Sequence, residues 1–512
     1  MQLSARLLIL AILLVALLSR TASHDNDDRP SPPCSPVDRA ALLGFKAGVA
    51  VDTTGILATW AGDDCCGAWE GVSCGATSGR VVALQLEAPP PRERHYMEGA
   101  LSPSLGGLEF LETLVIRDMG RIGGAIPESL SRLTRLRQLY LEGNMLAGAV
   151  PGSLGKMSSL QYLSLAGNRL EGQLPTDLGA AFGLEQINVA RNRLAGAVPP
   201  SYKNLSRLAY LDLSNNLFSG AIPGFLGQLK NLALLDLSNN SFSGEIPASL
   251  CALRSLTDLS LSHNKLGGRI PPQMGSLRSL NSLAIDDNML VGSIPASLFL
   301  GLRKLWYLNM SRNGFSGSLP TGIRNGLPSL ESMDLSHNHL TGGIDEFLRS
   351  LSIVVSNKNI STGTLRVLLP QRLEHLDLSK NRITGALPDL AGGGLKWLDV
   401  SNNAIGGQIP SSVSKLSDLE RLDISRNQVR GVIPASMAGM VRLEWLDLSR
   451  NALVGRIPDQ FTRLTSMRHA NFRGNKLCGK IPQARPFNLF RAAAYAHNLC
   501  LCGKPLPPCR II

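Results

Sequence analysis

An asparagine recurs at a fixed interval through most of this 512-residue chain, and no other feature limits its possible folds so strongly. The interval is 24 residues from Asn144 through Asn168, Asn192, Asn216, Asn240 and Asn264 to Asn288. Two steps of 25 reach Asn313 and Asn338, a gap of 43 leads to Asn381, and Asn403, Asn427, Asn451 and Asn475 complete the series. The surroundings repeat with it, as in Leu139-Tyr140-Leu141-Glu142-Gly143-Asn144-Met145-Leu146-Ala147-Gly148-Ala149-Val150-Pro151. A period in this range marks a solenoid, whose units cannot bury their apolar faces alone and stack into one continuous core. A chain of this length that is 44% hydrophobic would otherwise point to two or three globular domains; stacked units point to one elongated domain.

Within the block, leucines alternate with variable residues, the period of a half-buried strand whose variable side chains face outward. The asparagine ends the strand and turns inward, where its amide can satisfy backbone groups of adjacent coils. Glycine frees the turn, the next Ile, Val or Leu fills the core, and proline fixes the return. Ser-Leu-x-x-Leu, as at Ser153, Leu154 and Leu160, then closes the coil on the outer side. The pattern L-x-L-x-x-N-x-L-x-G-x-[IV]-P identifies a leucine-rich repeat with Gly-x-Ile-Pro after the turn and resembles the extracellular repeats of plant proteins. The resemblance implies a leucine-rich repeat solenoid, an α/β-type curved superhelix with its parallel sheet on the concave face. About sixteen coils at ~4.8 Å per strand make a rod of ~75 Å.

The terminal coils need caps. At the front, Asp38-Arg39-Ala40-Ala41-Leu42-Leu43-Gly44-Phe45-Lys46 reads as an amphipathic helix, followed by Trp60 and Cys65-Cys66-Gly67-Ala68-Trp69-Glu70-Gly71-Val72-Ser73-Cys74. This run is similar to the N-terminal cap of plant leucine-rich repeat proteins, which implies a structural role for both tryptophans. At the other end, Asn475 to Pro482 and Leu499 to Cys509 resemble the C-terminal cap of secreted plant repeat proteins of the polygalacturonase-inhibitor-like and DNA-damage-repair/toleration-like kinds. The expected organisation is a signal peptide over 1–23, a short linker over 24–33, an N-terminal cap over 34–80, repeats over 81–475 and a C-terminal cap over 476–512. The signal reading rests on one positive charge in Met1 to Arg6, the apolar run Leu7 to Leu18 and the small residues Thr21-Ala22-Ser23. No later stretch approaches ~20 consecutive apolar residues, so no membrane span is expected and the location is the extracellular space or cell wall.

Eight of nine cysteines flank the repeats, as expected of an oxidising compartment. Spacing favours Cys34 with Cys65, Cys66 with Cys74, Cys478 with Cys500 and Cys502 with Cys509, although each end admits three pairings. Cys251, inside the repeats, reads as a packed, inert thiol. The adjacent Cys65 and Cys66 raise a metal site, but even numbers at each end favour bridges. Asn204, Asn239, Asn309 and Asn359 each begin an Asn-x-Ser glycosylation signal.

The gap between Asn338 and Asn381 exceeds one repeat by 19 residues. Leu351, Ile353 and Val355 alternate there, so Ser350 to Thr364 reads as a degenerate coil, with a ligand-binding island near 344–375 as the alternative.

Sorting outward positions by distance from the asparagine exposes columns. Six residues before it stand Tyr162, Tyr210, Tyr307, Trp397, Arg421 and Trp445, with Tyr140 one column over. Such aromatics bring large contact area at low entropy cost and suit a partner, although single aromatics on a broad face are ordinary. Four residues before it run Asp212, Asp236, Asp334, Asp377, Asp399, Asp423 and Asp447, read as local hydrogen-bonding groups. Immediately before it stand Arg312, Lys380, Arg426 and Arg450, with His263 and His337 in register and Arg191 further up. These basic residues either neutralise the aspartates or form a positive stripe.

The formal charge of +12 becomes +10 once Arg6 and Arg20 leave with the signal, which allows contact with pectin. Nucleic acid is not expected for a secreted, bridged chain without a nucleic-acid motif. Catalysis is not expected either: the histidines, serines and aspartates are repeat positions on an open sheet, and no phosphate loop, metal cluster or nucleophile elbow appears. The reading is a binding protein without cofactor. The resemblance implies a pectin-degrading enzyme as partner, blocked through the concave face. The alternative is a soluble receptor-like component that binds a peptide or a receptor-kinase ectodomain, and a pectin-adhesive wall protein is the third reading.

Overall fold

The computed structural model describes residues 33–509 except 91, 93, 325 and 353–366. The expected signal peptide, most of the linker, Asn359 and most of Ser350 to Thr364 lie outside the described residues. Each leucine pair forms a short strand that lies in register on the next: Leu139 of Gln138–Tyr140 faces Leu163 of Tyr162–Ser164. The same parallel step repeats from Val81–Glu87 to His469–Asn471, giving sixteen parallel strands on the inner face. Val72–Cys74 pairs antiparallel at the front, and His469–Asn471 pairs only with Trp445–Asp447 on this ladder, which is therefore open at both ends.

The outer side is built from short 3-10 helices such as Gly152–Lys156 and Ala248–Ala252, each entered from a proline of the Ile/Val-Pro pair. The 25-residue step from Asn288 to Asn313 holds one extra residue, and there the outer element becomes the α-helix Ala296–Gly301. Between the layers, Leu139, Leu146, Leu154 and Leu160 from one coil are fully buried, and their equivalents continue the core through the array.

The asparagines tie the coils together. The Asn168 amide donates to the Leu141 carbonyl of the preceding coil at 2.8 Å and to the Leu165 carbonyl of its own coil at 3.0 Å, while its Oδ1 accepts the Leu146 N–H at 3.0 Å. Asn192, Asn216 and their successors repeat the arrangement.

The interval of the expected island or degenerate coil, near 344–375, is described only in part. Ser332–Asp334 pairs directly with His375–Asp377, so the long interval adds no rung to the inner ladder. Its described parts are the helix Ile344–Leu351 and the strand Val367–Leu368, which pairs with Leu390–Gly392. Leu351 closes that helix with its side chain buried instead of opening an alternating strand.

At the front, helix Pro36–Ala47 buries Ala41, Leu42 and Phe45. Trp60 stacks on Trp69 with ring centroids 5.4 Å apart, and their indole N–H groups donate to the Glu70 and Ala61 carbonyls. Asp38 is fully buried and accepts from Arg80 and from the Val81 N–H, joining the cap helix to the first strand. The cysteines form the bridges Cys34–Cys65, Cys66–Cys74, Cys478–Cys500 and Cys502–Cys509, so the sulfurs of Cys65 and Cys66 are taken up in bonds. Cys251 is free and buried. Among the described residues no helix is long and apolar enough to cross a membrane.

Candidate functional site

On the inner sheet the residue between two buried leucines faces outward, so equal positions in successive coils become neighbours at the rung spacing of ~4.8 Å. The last part of the array uses this to build a stack. His375, Trp397, Arg421, Trp445 and His469 occupy the same column on five consecutive rungs. The His375 and Trp397 rings lie 5.1 Å apart, the Arg421 Cζ lies 4.2 Å from the Trp397 centroid and 4.4 Å from that of Trp445, and His469 stacks on Trp445 at 3.6 Å. Trp397, Arg421 and Trp445 were candidates by sequence; His375 and His469 were missed, although their shared distance from Asn381 and Asn475 marks them. Trp397 Nε1, Trp445 Nε1, Arg421 Nε and His469 Nε2 are covered and have no hydrogen-bond partner among the described residues. Burial lowers the proton affinity of both histidines.

Beside the stack runs the aspartate column. Asp377, Asp399, Asp423 and Asp447 each accept, through Oδ1, the backbone N–H of the serine two residues later at 2.8–3.0 Å, as local hydrogen-bonding groups do. Burial first, and then carboxylates on adjacent rungs, raises the proton affinity of Asp377 and Asp423. Burial, then Asp334 and Asp399, pushes Asp377 up to about 7, and burial with Asp399 pushes Asp423 up to about 6. Arg421 Nη2 approaches both Asp399 and Asp423 at 3.9 Å, so the counter-charge comes from the stack.

The basic series stands elsewhere. Arg312, Lys380, Arg426 and Arg450 form no ion pair with a carboxylate among the described residues, whereas His263 of the same series lies against Asp286 and Asp287. All four adopt left-handed φ near +53°, beyond the strand end, and form a rim along the turns. His263 differs, its Nδ1 lying 3.0 Å from Asp287 Oδ2.

The tyrosines do not join the stack. Tyr162 donates to Glu185 at 2.9 Å and Tyr210 to Asp212 at 3.4 Å. Tyr140 is pushed up to about 12, by burial first and then by Glu142. Tyr307 lies beside Trp306, ring centroids 5.7 Å apart, and is separated from Trp397 by the rungs of Ser332 and His375. Asp212 is pushed up to about 6, by burial first and then by Asp236. Of the glycosylation signals, Asn204 is exposed at the end of an outer 3-10 helix. Asn239 stands at a turn and Asn309 on the inner sheet, where its Oδ1 accepts from Ser311.

The geometry offers flat faces, hydrogen-bond donors and charges of both signs on an open surface. The Leucine rich repeat family models match residues 110–170, 182–240, 278–340 and 393–453, and shorter stretches at 231–253, 255–277 and 372–393. The Leucine rich repeat N-terminal domain model matches 35–75. The chain is 36% identical over 121 residues to the DNA damage-repair/toleration protein DRT100 of Arabidopsis thaliana, covering 22% of this chain and 32% of that protein. It is 32% identical over 142 residues to a polygalacturonase inhibitor of Vitis vinifera, covering 28% and 39%. The matched stretch therefore spans less than half the length of these relatives. Among solved structures, the plant peptide hormone receptor RGFR1 in complex with RGF2 superposes with a TM-score of 0.53 at 25% identity, covering 79% of this chain and 77% of the receptor. A leucine-rich repeat protein of Leptospira interrogans gives 0.52 at 27% identity, covering 74% and 82%. With its ladder and its front cap both matched, the chain belongs to the leucine-rich repeat family.

Proposed function

We propose that this is a secreted, glycosylated protein that binds a polypeptide along the C-terminal half of its concave face. The observation that carries the reading is the five-rung stack from His375 to His469. Its side chains hold one another in place before any partner arrives, which lowers the ordering cost of association. Tryptophan and arginine are the residue types that dominate binding energy at protein interfaces. The partner assigned first is a pectin-degrading enzyme, whose cleft the face would cover; the similarity to the Vitis inhibitor supports it. Similarity to a hormone-bound receptor supports a peptide or receptor ectodomain as the second reading. The net positive charge adds weak pectin contact, sensitive to salt.

The test uses the full chain expressed in plant cells. It combines recovery from the extracellular fluid, inhibition of a fungal polygalacturonase, and capture of wall and membrane proteins. Stoichiometric inhibition lost in the Trp397→Ala/Trp445→Ala variant supports the first reading. Capture of a receptor ectodomain without inhibition supports the second. Retention inside the cell, or capture indifferent to the two substitutions, overturns the proposal.

A further inference from the structure

The left-handed position before each turn asparagine is filled differently along the array. Gly143, Gly167, Asn215 and Asn239 suit that backbone, the isolated Arg191 lies between Gly167 and Asn215, and His263 and Asp287 follow Asn239, paired with each other at 3.0 Å. Arg312, His337 and Lys380 then occupy it on three consecutive rungs with φ of 53–54°, the one such run among the described residues. Long side chains with a Cβ are strained there, and local strain retained in a fold is grounds for asking what it serves. Lys380 Nζ lies 2.8 Å from His337 Nε2, so the ammonium donates and the imidazole accepts. The other ring nitrogen lies 3.2 Å from Ser336 Oγ. Neither Arg312 nor Lys380 has a carboxylate within ion-pair distance among the described residues, and both are exposed.

We propose that Arg312, His337 and Lys380 form an anion-binding subsite on the concave rim that receives a carboxylate side chain of the docked polypeptide. This rests on the concave-face reading above and names the chemistry of one part of the partner. An anion gives Lys380 a better acceptor than a neutral imidazole and turns His337 from acceptor to donor, so binding takes up a proton. The groups facing the imidazole act in both directions, and the lowering ones prevail. Burial, Lys380 and Arg312 hold its proton affinity down, and the carboxylates of Asp334 and Asp399 oppose them. A bound anion cancels the two cations, raises His337, and makes affinity grow as pH falls through the histidine range.

The probe is a capped tetra-aspartate peptide titrated calorimetrically into the full chain, against capped tetra-asparagine and inorganic sulfate. Tetra-aspartate is expected to bind, tetra-asparagine not, and sulfate to compete. Arg312→Ala/Lys380→Ala should weaken binding roughly tenfold, while Lys265→Ala/Arg269→Ala on the flank leaves it unchanged. Binding should be tighter near about pH 5.5 than about pH 7.5, and His337→Asn should remove that difference. Equal affinity in the double variant, or tetra-asparagine binding as well, overturns the subsite. Polypeptide capture measured in parallel separates the two proposals: tetra-aspartate binding lost from the scheme with Trp-dependent capture intact removes the subsite alone.

Discussion

The guanidinium of Arg421 lies over the Trp397 ring with Cζ 4.2 Å from its centroid, and Trp445 covers it from the other side at 4.4 Å. Each contact is worth ~0.5–2 kcal/mol depending on how far it is desolvated. Arg421 also faces Asp399 and Asp423, so removing it leaves their charges opposed. Arg421→Ala should destabilise the protein by about 1–3 kcal/mol, and Arg421→Lys should recover only part, because an ammonium lacks the planar face. Urea unfolding followed by tryptophan emission reads both; an unchanged midpoint in the alanine variant would mean the stack contributes nothing to the fold.

Asp377 gives a pH prediction. Its carboxyl rises from 3.8 to about 7, so the folded state keeps a proton that the unfolded chain releases. Stability therefore falls as pH rises between about 4 and 7, and the full cost remains above that window. His375 and His469, shifted downward, act in the opposite sense and cost stability as pH falls below the ordinary 6.5. In Asp377→Asn the side-chain oxygen can still cap the Ser379 N–H while the like charge disappears. The variant should gain on the order of 1 kcal/mol or more at about pH 8 and nothing at about pH 4. Denaturant midpoints at the two pH values decide it; equal gains would assign the effect to something other than charge.

The coils, caps and bridges were legible because each depends on local, repeated residues: leucine alternation, the turn asparagine and paired cysteines. Trp397, Arg421 and Trp445 were visible as a column, but the column was read for large aromatics and one cation, so His375 and His469 escaped. The rim was legible in composition and not in conformation. Bases one position before Asn381, Asn427 and Asn451 look like counter-ions for aspartates three residues away, and only the left-handed φ shows them turned to the edge. Asp38 and Arg80 lie 42 residues apart, and no period connects them. In the long interval before Asn381, Leu351, Ile353 and Val355 fit a strand as well as a helix end, and only packing decides for Leu351.

Asn168 should matter more than Asn144. Both amides donate to three carbonyls, but Asn168 Oδ1 also accepts the Leu146 N–H, whereas Asn144 Oδ1 has no partner among the described residues. Asn168→Ala therefore strands an extra buried donor and should cost about 1 kcal/mol more than Asn144→Ala, each lying at or above the ~1–3 kcal/mol expected for unsatisfied buried groups. Hydrogen exchange at the Leu146 amide offers a local check: it should accelerate in Asn168→Ala, and protection kept at the parent level would show that another acceptor replaces the side chain.

Arg426 holds φ of 53° where Asn215 and Asn239 hold 55° in earlier coils, and asparagine tolerates that conformation far better than arginine. Arg426 is exposed and makes no ion pair among the described residues, so replacing it forfeits little packing. Arg426→Asn should raise stability by about 1 kcal/mol while reducing the positive charge of the rim. If the rim serves binding, the same substitution weakens retention of an anionic partner and lowers its salt dependence. Paired measurement of unfolding free energy and salt-dependent binding tests both halves. A stabilised variant with unchanged binding would make the rim arginine incidental at this coil, and a destabilised one would show that its side chain makes contacts that outweigh the backbone strain.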